Sequence, residues 1–141
     1  MRSFPLAILS PERAFFVGDC VSLVIPISDG MLGIMAGHTP LTAAIRDGEV
    51  AYTLPDGRRE ICAVTRGMVS VSAAGVRLLC ESALAPDEID EAAEKRRIQT
   101  ELLHLKEKQG HKDFLMTQLA LAKAINNLKV KRHDAMKINH Q

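Results

Sequence analysis

Gly30-Met31-Leu32-Gly33-Ile34-Met35-Ala36-Gly37-His38-Thr39-Pro40-Leu41 decides how this chain is read. The run is apolar, punctuated by glycine, and ends on a His-Thr-Pro corner. In a helix interior each glycine costs roughly 1 kcal/mol against alanine. Glycines suit a strand that bends or admits another backbone closely. The residue before Pro40 is pushed toward extended geometry, so the run turns there. A strand ending in such a corner, with Met31 and His38 beside it, serves either as a docking edge or as a corner that shapes a sandwich.

Outward from this stretch, everything before about residue 85 reads as short strands. Phe4 to Leu9 is apolar and stops at Ser10-Pro11. Ala14 to Val17 follows, with Gly18-Asp19 expected to halt it. Cys20 to Ile27 alternates loosely, and Pro26 inside it argues for an edge strand or a bulge. Ser28-Asp29-Gly30 and Arg46-Asp47-Gly48 are turn signals. Val50 to Leu54 meets Pro55-Asp56-Gly57, which fits a type I turn. Arg59 to Thr65 returns, with Ile61 and Ala63 on one face. Gly67 allows a tight reversal. Met68 to Ser72 and Val76 to Glu81 form a hairpin closed by Ala73-Ala74-Gly75. Many short strands with glycine-rich turns indicate an all-β sandwich or barrel, placed at residues 1–85.

At Ala85-Pro86-Asp87 glycine almost vanishes and helix formers take over. Asp87 is expected to cap a first helix, with Pro86 just outside it. Acids crowd its beginning (Asp87, Glu88, Asp90, Glu91, Glu94) and bases come later, which suits the helix dipole. Gly110 stands where a C-terminal cap would end it. A second helix is expected from about Asp113, with Phe114, Leu121, Leu128 and Ala135 recurring every seven residues beside Leu115, Ala124 and Ile125. A short connection makes neighbouring helices antiparallel, so residues 86–141 are expected to form an α-helical antiparallel hairpin.

The bulk numbers bound the function. The chain has 141 residues, 47% hydrophobic and 25% charged, ordinary for a folded globular protein. Its formal net charge of +1 provides no global field toward nucleic acid or lipid. Cys20, Cys62 and Cys80 lie in no Cys-x-x-Cys pair, which excludes the usual zinc and redox spacings, and buried free thiols fit a reducing compartment. The first residues lack the apolar core of a secretory leader, and no segment approaches the length of a membrane span. No catalytic set assembles: His38 is remote from any nucleophile, and the glycine run lacks the Gly-Lys-Ser/Thr ending of a phosphate loop. His104 with His111, and His133 with His140, lack a carboxylate or thiol cluster to hold a metal. Every basic residue before Asp87 is arginine, and every lysine lies in the helical part. After Asp113 the bases Lys123, Lys129, Lys131, Arg132 and Lys137 face one acid, Asp134. That is either a solvated face or a helix made to meet an acidic partner.

The opening stretch resembles the Gly-x-Leu-Gly-Ile-x-x-Gly-His-x-Pro-Leu signature of the epsilon subunits of rotary ATP synthases. The resemblance continues through Ile45 to Val50, Thr65-Arg66-Gly67-Met68-Val69-Ser70-Val71, Asp87 to Ala92, and Leu119 to Leu128. It implies a β-sandwich followed by a helical hairpin, in a noncatalytic rotor subunit of the central stalk. It implies gamma, the c-ring, alpha and beta as partners, no nucleic acid, and a peripheral place on the cytoplasmic face of the cell membrane. Ser28, Met31, Leu32 and His38 fall on the side that meets gamma and the c-ring; relatives often carry an acid where Met31 stands. The hairpin of the family lies folded on the sandwich or extends along gamma, where it meets alpha and beta and suppresses ATP hydrolysis. Lys123, Lys129, Lys131, Arg132 and Lys137 are then expected to face acidic surface on beta or gamma.

Some bacterial relatives bind ATP through an Ile/Leu-Asp-x-x-Arg-Ala motif. Ile89 and Asp90 match it, but Ala93 stands at the arginine and Glu94 at the alanine. Lys123 retains a base on the second helix, while Asn127 replaces another. The resemblance therefore implies ATP binding that is weak or absent, and no other cofactor. The competing reading is a freestanding β-sandwich binding module whose basic helix grips nucleic acid or protein. An aromatic content of 4% leaves it few stacking platforms for single strands.

Overall fold

Ten strands precede a short 3-10 turn at Pro86–Glu88 and two helices. The strands are β1 (Phe4–Leu9), β2 (Ala14–Cys20), β3 (Ser22–Ile27), β4 (Gly30–Met35), β5 (Leu41–Ile45), β6 (Gly48–Thr53), β7 (Arg59–Val64), β8 (Gly67–Ser72), β9 (Gly75–Cys80) and β10 (Ala83–Leu84). The helices are α1 (Glu91–Lys106) and α2 (His111–Asn139). This computed structural model describes residues 2–106 and 111–139; side chains at 104–106, 111–114 and 137–139 are outside the description. The chain divides into two compact units, Met1–Ala85 and Pro86–Gln141.

In the first unit the strands pair along one path, β10-β7-β6-β3-β5-β8-β9-β1-β2, with β4 added on β3. The β1–β9 pair is parallel and the other ladders are antiparallel. Alternation decides which side chains point inward. In β9, Val76, Leu78 and Cys80 are buried while Arg77 and Leu79 are exposed. The same period in the other strands gathers Leu6, Ile8, Leu23, Ile25, Ile34, Val50, Val64, Val69 and Leu78 into one core, the interior of a β-sandwich. All three cysteines belong to that core and are free thiols. Burial, then the negative charge of Asp19, pushes the Cys20 thiol up to about 11. Burial also raises Cys62 and Cys80.

Several boundaries differ from the sequence reading, each for a physical reason. β2 does not stop at Gly18. Gly18 stays in the ladder opposite Leu6, and the Phe16 ring occupies the space beside it, 3.1 Å from where a Cβ would stand. Pro26 is not on an edge strand. It lies in the middle of the sheet, where β3 leaves β6 after Val24 and takes up β5 at Ile27. Its missing N–H falls in that gap, while its carbonyl accepts the Arg46 N–H at 3.1 Å. Gly67 does not make the reversal; it opens β8, opposite Cys80 on one side and Ile45 on the other. The β8–β9 turn is Ala73-Ala74, because Gly75, at φ 130°, already pairs with Ser72.

In the second unit the cap is Asp90 rather than Asp87. Asp87 lies within the 3-10 turn, and Asp90 Oδ1 accepts the Ala93 N–H at 3.1 Å. Arg132 Nε reaches Glu91 Oε1 at 3.9 Å, and Lys131 Nζ donates to the Pro86 carbonyl at 3.0 Å. The start of α1 therefore lies against the late part of α2, and with only residues 107–110 between the helices the pair is antiparallel. α2 begins at His111, two residues before the expected start. The break expected at Gly110, and the side chains of His104, His111, Phe114 and His140, lie outside the described residues. Of the expected stripe, Ala124 and Leu128 are buried, Leu121 half-buried, and Leu115, Ile125 and Ala135 exposed. The buried arc joins those two to Thr117, Asn127 and Val130, which the stripe did not include.

Candidate functional site

The hairpin β3–β4 sets the first candidate surface. Six cross-strand pairs, Ser22↔Met35 through Ile27↔Gly30, hold β4 on β3. Because side chains alternate, Leu32 and Ile34 point toward the core, while Met31, Gly33 and Met35 share the outer face. Met31 and Met35 are 58% and 56% exposed, far more than apolar side chains of that size need to be. Gly33 between them leaves nothing within 4 Å of where its Cβ would stand, so the face dips at its centre. Two flexible thioethers flanking a dip make an adaptable apolar contact surface. Ser28 is exposed at the turn of the hairpin.

The corner after β4 is built from its own backbone. Gly37 takes φ 83°, a conformation open to glycine, and the His38 N–H donates to the Met35 carbonyl at 3.1 Å. Because a carbonyl oxygen only accepts, His38 Nδ1 donates to the Thr39 carbonyl at 2.7 Å. The Arg2 guanidinium lies 3.8 Å from where a Gly37 Cβ would stand. Arg2, His38, Met35 and Pro40 line a recess of about 420 Å³. Of the four residues expected here, Met31 and Ser28 are exposed, and His38 and Leu32 are half-buried, Leu32 against the core. Sequence reasoning missed Met35 and Arg2. The i, i+2, i+4 spacing of Met31, Gly33 and Met35 carried the signal for the first; Arg2 reaches the corner only through the fold.

The basic residues of α2 behave differently from one another. Lys131 and Arg132 are engaged at the start of α1, and Lys95 reaches Glu91 as well, at 3.5 Å. Lys129 is exposed and Lys123 half-buried. The Lys137 side chain lies outside the described residues. At 100° per residue, Lys123, Lys131 and Arg132 point about 80–100° apart in succession, so the bases ring the helix instead of lining one face. The three residues matching part of an ATP motif are not drawn together. Ile89 is buried, Asp90 is used as the α1 cap, and Lys123 lies roughly 13 Å along α2 from the Arg132 that meets Glu91. Among the described residues no three His, Cys, Asp or Glu side chains gather as a metal site, and no helix is long and apolar enough to cross a membrane.

Residues 3–86 match the model of the ATP synthase delta/epsilon chain β-sandwich domain. The ATP synthase epsilon chain of Caldanaerobacter subterraneus subsp. tengcongensis is 31% identical over 132 residues, covering 92% of this chain and 94% of that one. The chain belongs to the ATP synthase epsilon-chain family. Outside close sequence range, the fold matches a chain of the Euglena gracilis mitochondrial ATP synthase OSCP/F1/c-ring structure with TM-score 0.76 at 15% identity, covering 95% of this chain and 81% of that one. It also matches a chain of the Tetrahymena thermophila central stalk and c-ring structure with TM-score 0.59 at 9% identity, covering 91% and 96%. The family model spans the ten described strands, and the match to the Caldanaerobacter chain runs on into the helical unit.

Proposed function

We propose that this epsilon-family chain is a noncatalytic rotor subunit of a proton-translocating ATP synthase. Its sandwich joins gamma to the c-ring through the β4 face and the His38 corner, and its helices restrain ATP hydrolysis at alpha and beta. The observation that carries the reading is the epsilon-chain likeness running through both units, sandwich and helices alike. The structures it resembles come from assemblies named for the c-ring and the central stalk, which supports the choice of partners. Peripheral association with the membrane then comes through those partners.

The β4 face meets its partner by thioether packing instead of by charge, since Met31 stands where relatives often carry an acid. Of the five bases expected to face acidic surface, Lys129 and Lys123 are the ones left among the described side chains to meet it, because Lys131 and Arg132 are engaged within the unit. ATP binding is weak or absent. Ala93 supplies no charge-assisted bond, a loss of roughly 1.5–3 kcal/mol, and Asp90 is occupied as a cap.

Co-purification of the full chain with gamma tests the docking role. Recovery of a stoichiometric complex is expected, and none at physiological salt refutes it. Isothermal titration of the full chain with ATP is expected to show no sub-millimolar affinity; a sub-millimolar constant overturns that part alone.

A further inference from the structure

Two bases share the recess at the His38 corner, and no acid lines it with them. Phe4 is buried in the core, which fixes where the chain enters β1 and so where Arg2, two residues earlier, can lie. Arg2 Nη2 and Nη1 stand 3.8 and 3.9 Å from where a Gly37 Cβ would be, so both terminal nitrogens of the guanidinium are equally close to the space above Gly37. His38 lines the same recess with its Nδ1 tied to the Thr39 carbonyl, and its Nε2 makes no bond among the described residues. Arg2 and His38 are the only titratable side chains among the described residues that line the recess; β8 and β9 bring only apolar groups, Ser72 and Gly75 to it.

The remaining wall strengthens whatever those bases bind. It includes Phe4, Ile34, Val71 and Val76, all buried. A charge-assisted hydrogen bond made against such a wall is stronger than the same bond in open water. About 420 Å³ of space, two bases, no acid and an apolar wall have the chemistry of an oxyanion receptor. The arginine fork matches a carboxylate held by two parallel hydrogen bonds. Met35 connects the recess to the β4 face, because it lines the one and is 56% exposed on the other.

We propose that this recess receives one carboxylate side chain from the subunit seated on β4. The occupant rests on the docking role given above; the receptor chemistry of the recess does not. Arg2 takes the carboxylate through its terminal nitrogens, and His38 Nε2 donates as well once the ring carries its second proton. Met31 and Met35 supply contact area, and the carboxylate supplies orientation, since a bidentate pair fixes direction as well as distance.

Titration of the isolated full chain with acetate tests the recess without any partner. The amide signals of Ser3, Gly37 and His38 are followed by NMR, with sodium chloride of equal ionic strength as the control. Saturable shifts with acetate and none with chloride are expected. Arg2→Gln should weaken acetate binding about tenfold, and Arg2→Lys by less, because lysine keeps the charge without the fork. Binding should be tighter at about pH 6 than at about pH 8, and His38→Gln should remove that difference. No saturable shift in the wild type, or equal affinity in Arg2→Gln, overturns the site. Recovery of the full chain with gamma and c-ring then reads the occupant. Arg2→Gln should lower that recovery and make it less sensitive to salt. Acetate binding that depends on Arg2, beside unchanged recovery and an unchanged salt profile, would make the recess a site for free small anions and overturn the proposed occupant. A wild-type chain that is not recovered at all would instead refute the docking role, and the occupant with it.

Discussion

Gly67→Ala tests the sheet at its tightest point. Gly67 opens β8 between β5 and β9, opposite Ile45 and Cys80. A Cβ there would stand 1.8 Å from the Leu79 carbonyl oxygen, 2.7 Å from the Cys80 Cα and 2.8 Å from the Leu79 carbonyl carbon. All three obstacles are backbone, so no side chain can rotate away to make room. The backbone of Gly67 is not in the left-handed region, so the penalty is purely steric. Overpacking costs about 1–3 kcal/mol where side chains can yield, occasionally more. Separating β8 from β9 adds one or two ladder hydrogen bonds at about 1 kcal/mol each. The expected loss is therefore about 3–5 kcal/mol, a large share of the roughly 5–15 kcal/mol that holds a domain folded. At a urea slope of about 2 kcal/mol per molar, the midpoint should fall by roughly 1.5–2.5 M. Gly33→Ala is the matched control. Its Cβ meets nothing within 4 Å, so its midpoint should move by less than about 0.3 M. A Gly67→Ala midpoint as close to wild type as that of the control would refute the argument that β8 and β9 cannot part.

Gly33→Ala also probes the β4 face without disturbing the fold: filling the dip between Met31 and Met35 should lower recovery with gamma and c-ring, and undiminished recovery would remove the dip from the contact. Met31→Glu, at a 58% exposed position, should leave the urea midpoint unchanged yet make that recovery salt-dependent; an unaltered salt profile would place Met31 outside the interface. Lys131→Ala should speed amide exchange in the helical unit severalfold through loss of its bond to Pro86, whereas Lys129→Ala should leave exchange alone and weaken inhibition of ATP hydrolysis in the complex. Inverted behaviour of the two lysines would show that they have been assigned the wrong way round. The three thiols should resist a thiol reagent at pH 8 in the folded protein and react promptly in urea, because burial raises their pKa. Above about pH 9 the unfolded chain loses thiol protons that the folded chain keeps, so stability should fall as pH rises, through about 11 for Cys20. A flat urea midpoint between pH 9 and 11 would count against buried thiols in the core.

What could be read from the residues, and what could not, separates along one physical line. Period-two alternation is local, so most strands from Phe4 to Cys80 and the alternating Leu23 and Ile25 follow from it directly, whereas β5, where alanines blur the alternation, and the two-residue β10 do not. Partner choice is not local. Nothing near Pro26 announces that β3 exchanges β6 for β5 beside it, and an N–H is dispensable only because of that exchange. Gly18 looked like a stop because a glycine's usual reason for being in a strand, close approach by another group, came from Phe16 two residues earlier in the same strand. Both Asp87 and Asp90 satisfy the composition rule for a cap, and only the backbone path through the 3-10 turn selects Asp90. The helical unit exposes a different blind spot. A search for apolar periodicity counts Leu121 and Leu128 and passes over polar residues, yet the buried arc of α2 centres on Asn127. The sandwich buries Thr65 and three thiols among its apolar side chains, with the Tyr52 ring packed at 4.8 Å on Phe16. The helix pair buries Glu94, Thr117 and Asn127, so apolar periodicity alone cannot trace its contact surface.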